Sequence, residues 1–283
     1  MKKNILLLNT MFVFLFPLWL EGADPAVAWP IFLVKDHANT NYVRNTDCWA
    51  YPYDLSGVAV WNNANHPTDG YPMPNDFAGT LISPQHVLFA NHWDYIPDGG
   101  KMRFVDMNNQ IEERILMQKL EHPTLDFSVG LLSSPLPTNR FKFYKILPND
   151  YADYIHTGKG LPVLALNKSK RAYIHEINEI SSTVVCRLPV VSTNRAAYAV
   201  FKHPPPDEDK AGLIGGDSGN PAFLFLGGEP VLLTVWEKGN GGSGAFVTAF
   251  KQDINDMMNQ LGGGYQLTEF DLTVYKKLKR EAK

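Results

Sequence analysis

The sequence predicts an all-β protein: two groups of short antiparallel strands, in barrels or sandwiches, followed by a C-terminal helix. Three observations carry this. Runs rich in Val, Ile, Phe, Tyr and Thr recur beyond residue 45, separated by Gly, Pro, Asn and Asp. The turn signals come too often for βαβ units. A segment carrying Pro135, Pro137 and Pro148 divides the runs into two groups. Composition agrees: 283 residues, 45% hydrophobic and 19% charged, is ordinary for a globular chain and excludes disordered, collagen-like and coiled-coil classes. Lys+Arg 26 against Asp+Glu 29 leaves a net charge of −3, so no basic excess drives nucleic-acid binding.

The first element is a targeting segment, 1–28. Lys2 and Lys3 precede a mostly apolar run, Ile5 to Leu20, and small residues follow at Gly22, Ala23, Ala26 and Ala28. This is the order of a secretory signal, with cleavage expected after Ala23 or Ala28. The alternative is an uncleaved anchor, for which the run is short. The mature protein is therefore expected to be secreted or periplasmic, with no membrane association. A disulfide can persist there. Cys48 and Cys186 are the only cysteines that could form one, two buried thiols being the alternative.

The first β unit, with its N-terminal segment, covers 29–135. Its strands are expected at Gly57–Trp61, Phe77–Ile82, His86–Ala90, Met102–Val105, Ile111–Leu120 and Phe127–Leu132. A connector, 136–160, leads to the second unit, 161–250. Strands there are expected at Leu161–Leu166, Ala172–Ile180, Thr183–Leu188, Ala197–Phe201, Ala222–Leu226, Val231–Trp236 and Ala245–Phe250. Ile254, Met257, Met258 and Leu261 stand at helical spacing, predicting a helix over 251–261 that the glycines 262–264 stop. The tail 262–283 ends in Lys276, Lys277, Lys279, Arg280 and Lys283 and reads as a solvated basic end.

The chemistry concentrates at Gly215-Gly216-Asp217-Ser218-Gly219-Asn220-Pro221. A serine framed by glycines has an exposed hydroxyl, and main-chain N–H groups there can converge on an oxyanion. The same tetrapeptide could be a plain surface turn. Serine is a weak nucleophile until a base takes its proton, and the base needs an orienting partner. His92 offers the base, on a polar bend after the strand His86–Ala90. Asp126 offers the partner, at the head of the strand Phe127–Leu132. Asp126 follows His92 by 34 residues and Ser218 follows Asp126 by 92, so only a rigid scaffold can bring the three together.

In three blocks, Gly79–His92, Leu125–Leu132 and Gly215–Pro221, the sequence resembles the chymotrypsin/trypsin-like serine protease family. Gly79, Leu81, Ile82, Val87, Leu88, Ala90 and His92 match the family's histidine block. Gly216, Asp217, Ser218, Gly219 and Pro221 match its serine block, and the order His, Asp, Ser is the chymotrypsin order. The resemblance implies two packed six-stranded antiparallel Greek-key β-barrels with a C-terminal helix. It implies that Ser218 attacks the scissile carbonyl, that His92 is base and then acid, and that Asp126 orients the imidazole. The N–H groups of Gly216 and Ser218 would form the oxyanion hole. A Cys48–Cys186 bridge would tie the N-terminal segment to the second barrel, as one trypsin disulfide does.

The sequence departs from the family at several positions. Asn91 and Trp93 flank His92 where the family has Ala and Cys. Asn220 replaces a glycine, a variant associated with bacterial relatives. No Ile-Val-Gly-Gly precedes His92, so the cation that Asp217 needs is either a new N-terminus or a Lys or Arg. Gly212 stands where trypsin-like enzymes place a pocket carboxylate. Trp236 resembles the pocket-edge tryptophan, and Glu237 would lie near the pocket unless it is a solvated loop residue. The serine that usually supports the catalytic Asp falls at Val235 or Thr234.

No metal site is expected: the eight histidines include no His-Glu-x-x-His or His-x-His. His86 reads as structural, and His175 and His203 as surface groups. No phosphate loop or dinucleotide fingerprint appears, and no cofactor is expected. The expected function is a monomeric, secreted serine endopeptidase acting on peptide or protein substrates. A silent binding protein on the same fold and an esterase using the same triad are the alternatives.

Overall fold

A computed structural model describes residues 31–34, 42–60, 78–93, 99–155, 161–167, 170–180, 184–187, 217–237 and 243–278. The signal segment, the strand expected over Ala197–Phe201, and Gly212, Gly216 and His203 lie outside these residues.

The described chain is mostly β, in two antiparallel sheets with a single helix towards the C-terminus. Two short strands, β1 (Phe32–Val34) and β2 (Tyr42–Arg44), pair as a separate ladder. The first sheet comprises β3 (Thr80–Leu81), β4 (His86–Ala90), β5 (Lys101–Val105), β6 (Ile111–Glu121) and β7 (Phe127–Leu132). Its spatial order is β3-β4-β7-β6-β5. The second comprises β8 (Leu161–Leu166), β9 (Ala172–Ile180), β10 (Val184–Arg187), β11 (Pro221–Leu226), β12 (Glu229–Val235) and β13 (Ser243–Ala245). Its order is β12-β11-β8-β9-β10-β13.

β4 and β7 run through the centre of the first sheet, and the sequence shows why. All five residues of β4 are buried, which suits a continuous apolar run rather than an alternating one. In β7, Gly130 leaves room for its neighbours, because a Cβ there would stand 2.5 Å from the Leu116 side chain. The β5–β6 turn is built by Asp106, whose Oδ1 accepts the N–H groups of Asn108 and Gln110, both at 2.8 Å. Asn109 takes the left-handed conformation there, which asparagine tolerates well.

Among the described residues the first sheet has five strands where six were expected. Of the stretch expected as a strand at Gly57–Trp61, the described part, Gly57–Val60, instead bridges two neighbours. Val58 pairs with Thr80, the Ala59 N–H donates to Gly79 O at 2.9 Å, and the Val60 N–H donates to Arg103 O at 2.9 Å. Its few main-chain groups divide between β3 and β5, so neither side forms a continuous ladder.

The expected strand Ala245–Phe250 is also shorter than its sequence suggests. The strand is confined to Ser243–Ala245; Val247–Phe250 coils into a 3₁₀ turn that runs straight into the helix α1 (Lys251–Leu261). The Ala249 N–H closes that turn on Phe246 O, and the Thr248 hydroxyl donates to Leu147 O at 3.0 Å. Hydrogen bonds within the turn and to the connector thus outweigh the β propensity of Val247 and Phe250.

Beyond α1 the tail is not simply solvated. Leu267, Phe270 and Leu272 are buried, and the Phe270 N–H donates to Ile146 O at 2.8 Å. The basic character of the last residues hides an apolar stretch ahead of them that covers the second sheet. The two sheets share one core. Leu88 and Val129 of the first, Phe223 and Leu232 of the second, and Ile254 and Met258 of α1 belong to the same apolar cluster.

Candidate active site

Strand register places His92 beside Asp126. β4 and β7 are antiparallel, with Ala90 opposite Phe127. The residues just past the end of β4 therefore meet those just before the start of β7. The Asn91 N–H donates to Asp126 O at 3.2 Å, continuing the ladder by one step. Asn91 also receives the Ser128 hydroxyl at 3.2 Å and donates to Glu121 at 3.4 Å, pinning the bend to β7 and β6. The bend is a 3₁₀ turn, Asn91–Trp93, which turns the His92 ring back onto the aspartate.

Asp126 holds His92 twice. Its Oδ1 accepts the His92 main-chain N–H at 2.8 Å, and its Oδ2 lies 2.5 Å from Nδ1. A carboxylate only accepts, so Nδ1 carries the proton and Nε2 is left as an acceptor. That acceptor faces the Ser218 Oγ at 2.8 Å. The three groups thus form a continuous chain, Ser218 O–H to His92 Nε2 and His92 Nδ1–H to Asp126. The His92 side chain is 42% exposed and Asp126 31%, whereas Ser218 is 7% exposed. The chain opens to solvent on the histidine side and is backed by protein on the serine side.

Ser218 reaches His92 because its loop is tied down on both flanks. The Gly219 N–H donates to Trp236 O at 2.6 Å, and the Trp236 N–H donates to Asn220 O at 3.0 Å. The Asn220 side chain donates to Asp217 O at 3.2 Å and accepts from the Lys170 ammonium at 2.7 Å. Asp217 and Lys170 are both buried, the lysine completely. Lys170 also accepts the Ile31 N–H at its carbonyl, which links the N-terminal ladder to the nucleophile loop. Sequence reasoning did not single out Lys170; a lysine in a polar stretch gives no sign that its ammonium points inward. The Ser218 N–H has no acceptor among the described residues.

The other expected site residues fall as follows. Trp236 is 1% exposed and sits in the core of the second sheet, edge-on to His175 at 6.2 Å. Its main chain, not its ring, meets the serine loop. Glu237 is not a solvated loop residue: its carboxylate accepts the Ala245 N–H at 2.7 Å and its N–H donates to Ser243 O at 2.9 Å. The Thr234 hydroxyl donates to Ala245 O at 2.8 Å, not to Asp126. A small pocket is lined by Leu88, Phe127, Val235, Glu237, Val247 and Phe250, of which Phe127 follows Asp126 in the chain. His175, expected at the surface, is buried and stacks on Tyr173 at 5.8 Å. His86 is buried, with Nδ1 2.8 Å from the Ser83 Oγ, and burial lowers its pKa. Cys48 is buried, which pushes its thiol up to about 11. The Cys186 main chain lies in β10 opposite Ser243, but its side chain falls outside the described residues, and the expected bridge with it.

The chain matches no protein-family model and no curated protein.

Among the described residues, no group of three His, Cys, Asp or Glu side chains could hold a metal ion. The arrangement at His92 can raise the nucleophilicity of the Ser218 oxygen, accept its proton, and stabilise the imidazolium that results.

Proposed function

We propose that the chain is a secreted serine endopeptidase of the chymotrypsin-like kind. One observation carries the reading: His92 lies within hydrogen-bond distance of both Ser218 Oγ (2.8 Å) and Asp126 (2.5 Å), through its two ring nitrogens. The sequence context of His92, Asp126 and Ser218 supports the same reading. The two-barrel fold belongs to the same proposal. The bonds of Val58 and Val60 join β3 to β5, and the Glu237 N–H to Ser243 O bond joins β12 to β13. Each sheet would thereby close on itself.

The reaction follows from the geometry. Ser218 Oγ attacks a peptide carbonyl carbon while its proton passes to His92 Nε2. The carbonyl oxygen takes the negative charge and is met by the Ser218 N–H and, in this reading, by that of Gly216. The C–N bond breaks as His92 Nε2–H protonates the leaving amine, giving an acyl-serine. Water then attacks the acyl carbon, His92 again taking a proton, and the acid product leaves as Ser218 regains its hydrogen. Asp126 stays ionised throughout and stabilises the charged imidazole. No step draws on a metal or cofactor.

The test treats the mature protein and Ser218→Ala with a fluorophosphonate probe and reads intact mass. One adduct on the wild type and none on the variant supports the reading. No adduct on folded wild type, before or after limited proteolysis, overturns it in favour of a binding role, whereas an adduct only after proteolysis shows a latent zymogen. Turnover of chromogenic esters without cleavage of any peptide in a mixed library would point to an esterase.

A further inference from the structure

Asp126 is the last residue of a turn between β6 and β7, and that turn closes around one side chain. His122 Nδ1 accepts the N–H of Thr124 at 3.3 Å and of Leu125 at 3.0 Å. The His122 N–H donates to Phe127 O at 2.9 Å, on the far side of Asp126. Its ring packs on Phe127 at 4.7 Å and against Phe250 at 6.2 Å, and the side chain is 10% exposed. Nε2 faces Asp253 of α1 at 3.7 Å. An Nδ1 that accepts two N–H groups carries no proton, so the neutral ring bears its hydrogen on Nε2, turned towards Asp253.

His122 therefore brackets Asp126. It grips the two main-chain amides before it by the ring and the carbonyl after it by its own amide. The bland account is a buried histidine that caps a turn. Two features argue for more. Among the described residues no hydroxyl donates to the Asp126 carboxylate, and that of Thr234 is turned to Ala245 O instead. Among the described residues, the only groups bonded to that carboxylate belong to His92. Its aim thus depends on where the 122–127 main chain is held. Orientation of such groups must hold within about 0.5 Å to be productive.

We propose that His122 is a positioning residue: through Nδ1 it sets the main chain that aims Asp126 at His92. The proposal rests on the triad reading above. It requires an acceptor at the position of Nδ1 and nothing else of the imidazole. An asparagine supplies an acceptor at that branch, since Oδ1 also sits on Cγ, whereas glutamine moves it one bond outwards and alanine removes it.

The experiment compares His122→Asn, His122→Gln and His122→Ala in the full-length mature protein. The readouts are kcat and KM on a cleaved peptide, amide hydrogen exchange at Thr124 and Leu125, and the low-field proton resonance of His92 Nδ1–H. The expected result is a fall in kcat of about 10- to 100-fold for the alanine and glutamine variants with KM held within about twofold. Fast exchange at Thr124 and Leu125 and a displaced low-field proton should accompany it. The asparagine variant should recover kcat to within about threefold of wild type and restore both signals. Equal activity in all four proteins overturns the proposal, as does an asparagine variant as impaired as alanine at unchanged melting temperature. Should alanine fail to fold, the asparagine–glutamine contrast decides. A wild type that takes no fluorophosphonate yet protects both amides would overturn the protease reading and leave the anchoring of the turn intact.

Discussion

Gly219 lies against Ala90. A Cβ on Gly219 would stand 3.1 Å from the Ala90 nitrogen and 3.2 Å from the Ala78 Cβ, and the residue holds φ at +77°. The loop that carries Ser218 and the strand that leads to His92 thus approach closely, with only the methyl groups of Ala78 and Ala90 beside the glycine. That closeness lets a serine from one sheet reach a histidine from the other.

Gly219→Ala should therefore cost on two counts. A non-glycine residue in that conformation is strained, and the new methyl group must push β4 and the loop apart. We expect a stability loss of about 1–3 kcal/mol and a larger relative fall in fluorophosphonate labelling of Ser218. Denaturant melts and labelling rates on the same preparation check this. Unchanged labelling with lowered stability would show that the spacing between the sheets is not what sets the His92–Ser218 contact.

Asp126→Asn should leave the fold intact, because the amide oxygen can still accept the His92 N–H. The other contact fails, since an amide NH₂ facing Nδ1 favours the wrong tautomer. The proton then sits on Nε2, which can no longer accept the hydrogen of the Ser218 hydroxyl. A fall in kcat of about 10⁴-fold is expected, measured on a peptide substrate with circular dichroism as the control for folding.

Lys170→Met removes a buried ammonium that bonds Asn220 at 2.7 Å. Methionine keeps the length of the chain and loses the charge. The cost of a lost hydrogen bond to a charged group is about 1.5–3 kcal/mol, to which any charge left uncompensated in the loop adds. Midpoints of urea unfolding would register it, and Ser218 labelling should slow because the Asn220 Oδ1 loses its ammonium partner. Full stability with full labelling would show that Lys170 is a passenger in the interior.

Asp106 gives the clearest pH dependence outside the site. Burial works against its charge, but the Gln110 N–H, the Arg140 guanidinium and the Asn108 N–H outweigh it and lower the pKa. A carboxyl that is more acidic in the folded state stabilises the fold above its unfolded value of about 3.9. That contribution fades as pH falls through the folded value. Wild type should lose stability below about pH 4, and Asp106→Asn should be less stable at neutral pH with a flatter acid limb. Parallel acid limbs for the two proteins would refute this.

Much of the site could be read from the chain because it sits at strand ends. β4 and β7 are buried apolar runs with sharp polar boundaries, so His92 and Asp126 fall where the pattern breaks. Ser218 is framed by glycines for the same reason that it works: the main chain must come close. What could not be read is long-range. Nothing local marks Lys170 as buried, since its partner Asn220 is 50 residues away. The Val247–Phe250 stretch carries β-formers, yet bonds to Leu147 and within the turn coil it. The tail looks solvated because its charges are consecutive while Leu267, Phe270 and Leu272 are scattered among polar residues. Trp236 resembles a rim residue in sequence and is packed inside, a choice made by the fold of the second sheet rather than by its neighbours in the chain.

The chain of bonds from Asp126 to Ser218 has one joint between the two sheets, the 2.8 Å contact at His92 Nε2. The other joints lie within the first sheet and its turns. During synthesis the half that emerges first holds an acid and a base but nothing to activate. The second half brings a hydroxyl that stays inert until the shared core has closed. Under the proposed reading, hydrolytic power is a property of the docked pair and of neither part, so a nascent or partly unfolded chain cannot digest its surroundings. Gentle heating that loosens the seam should slow fluorophosphonate labelling of Ser218 before the shared core melts.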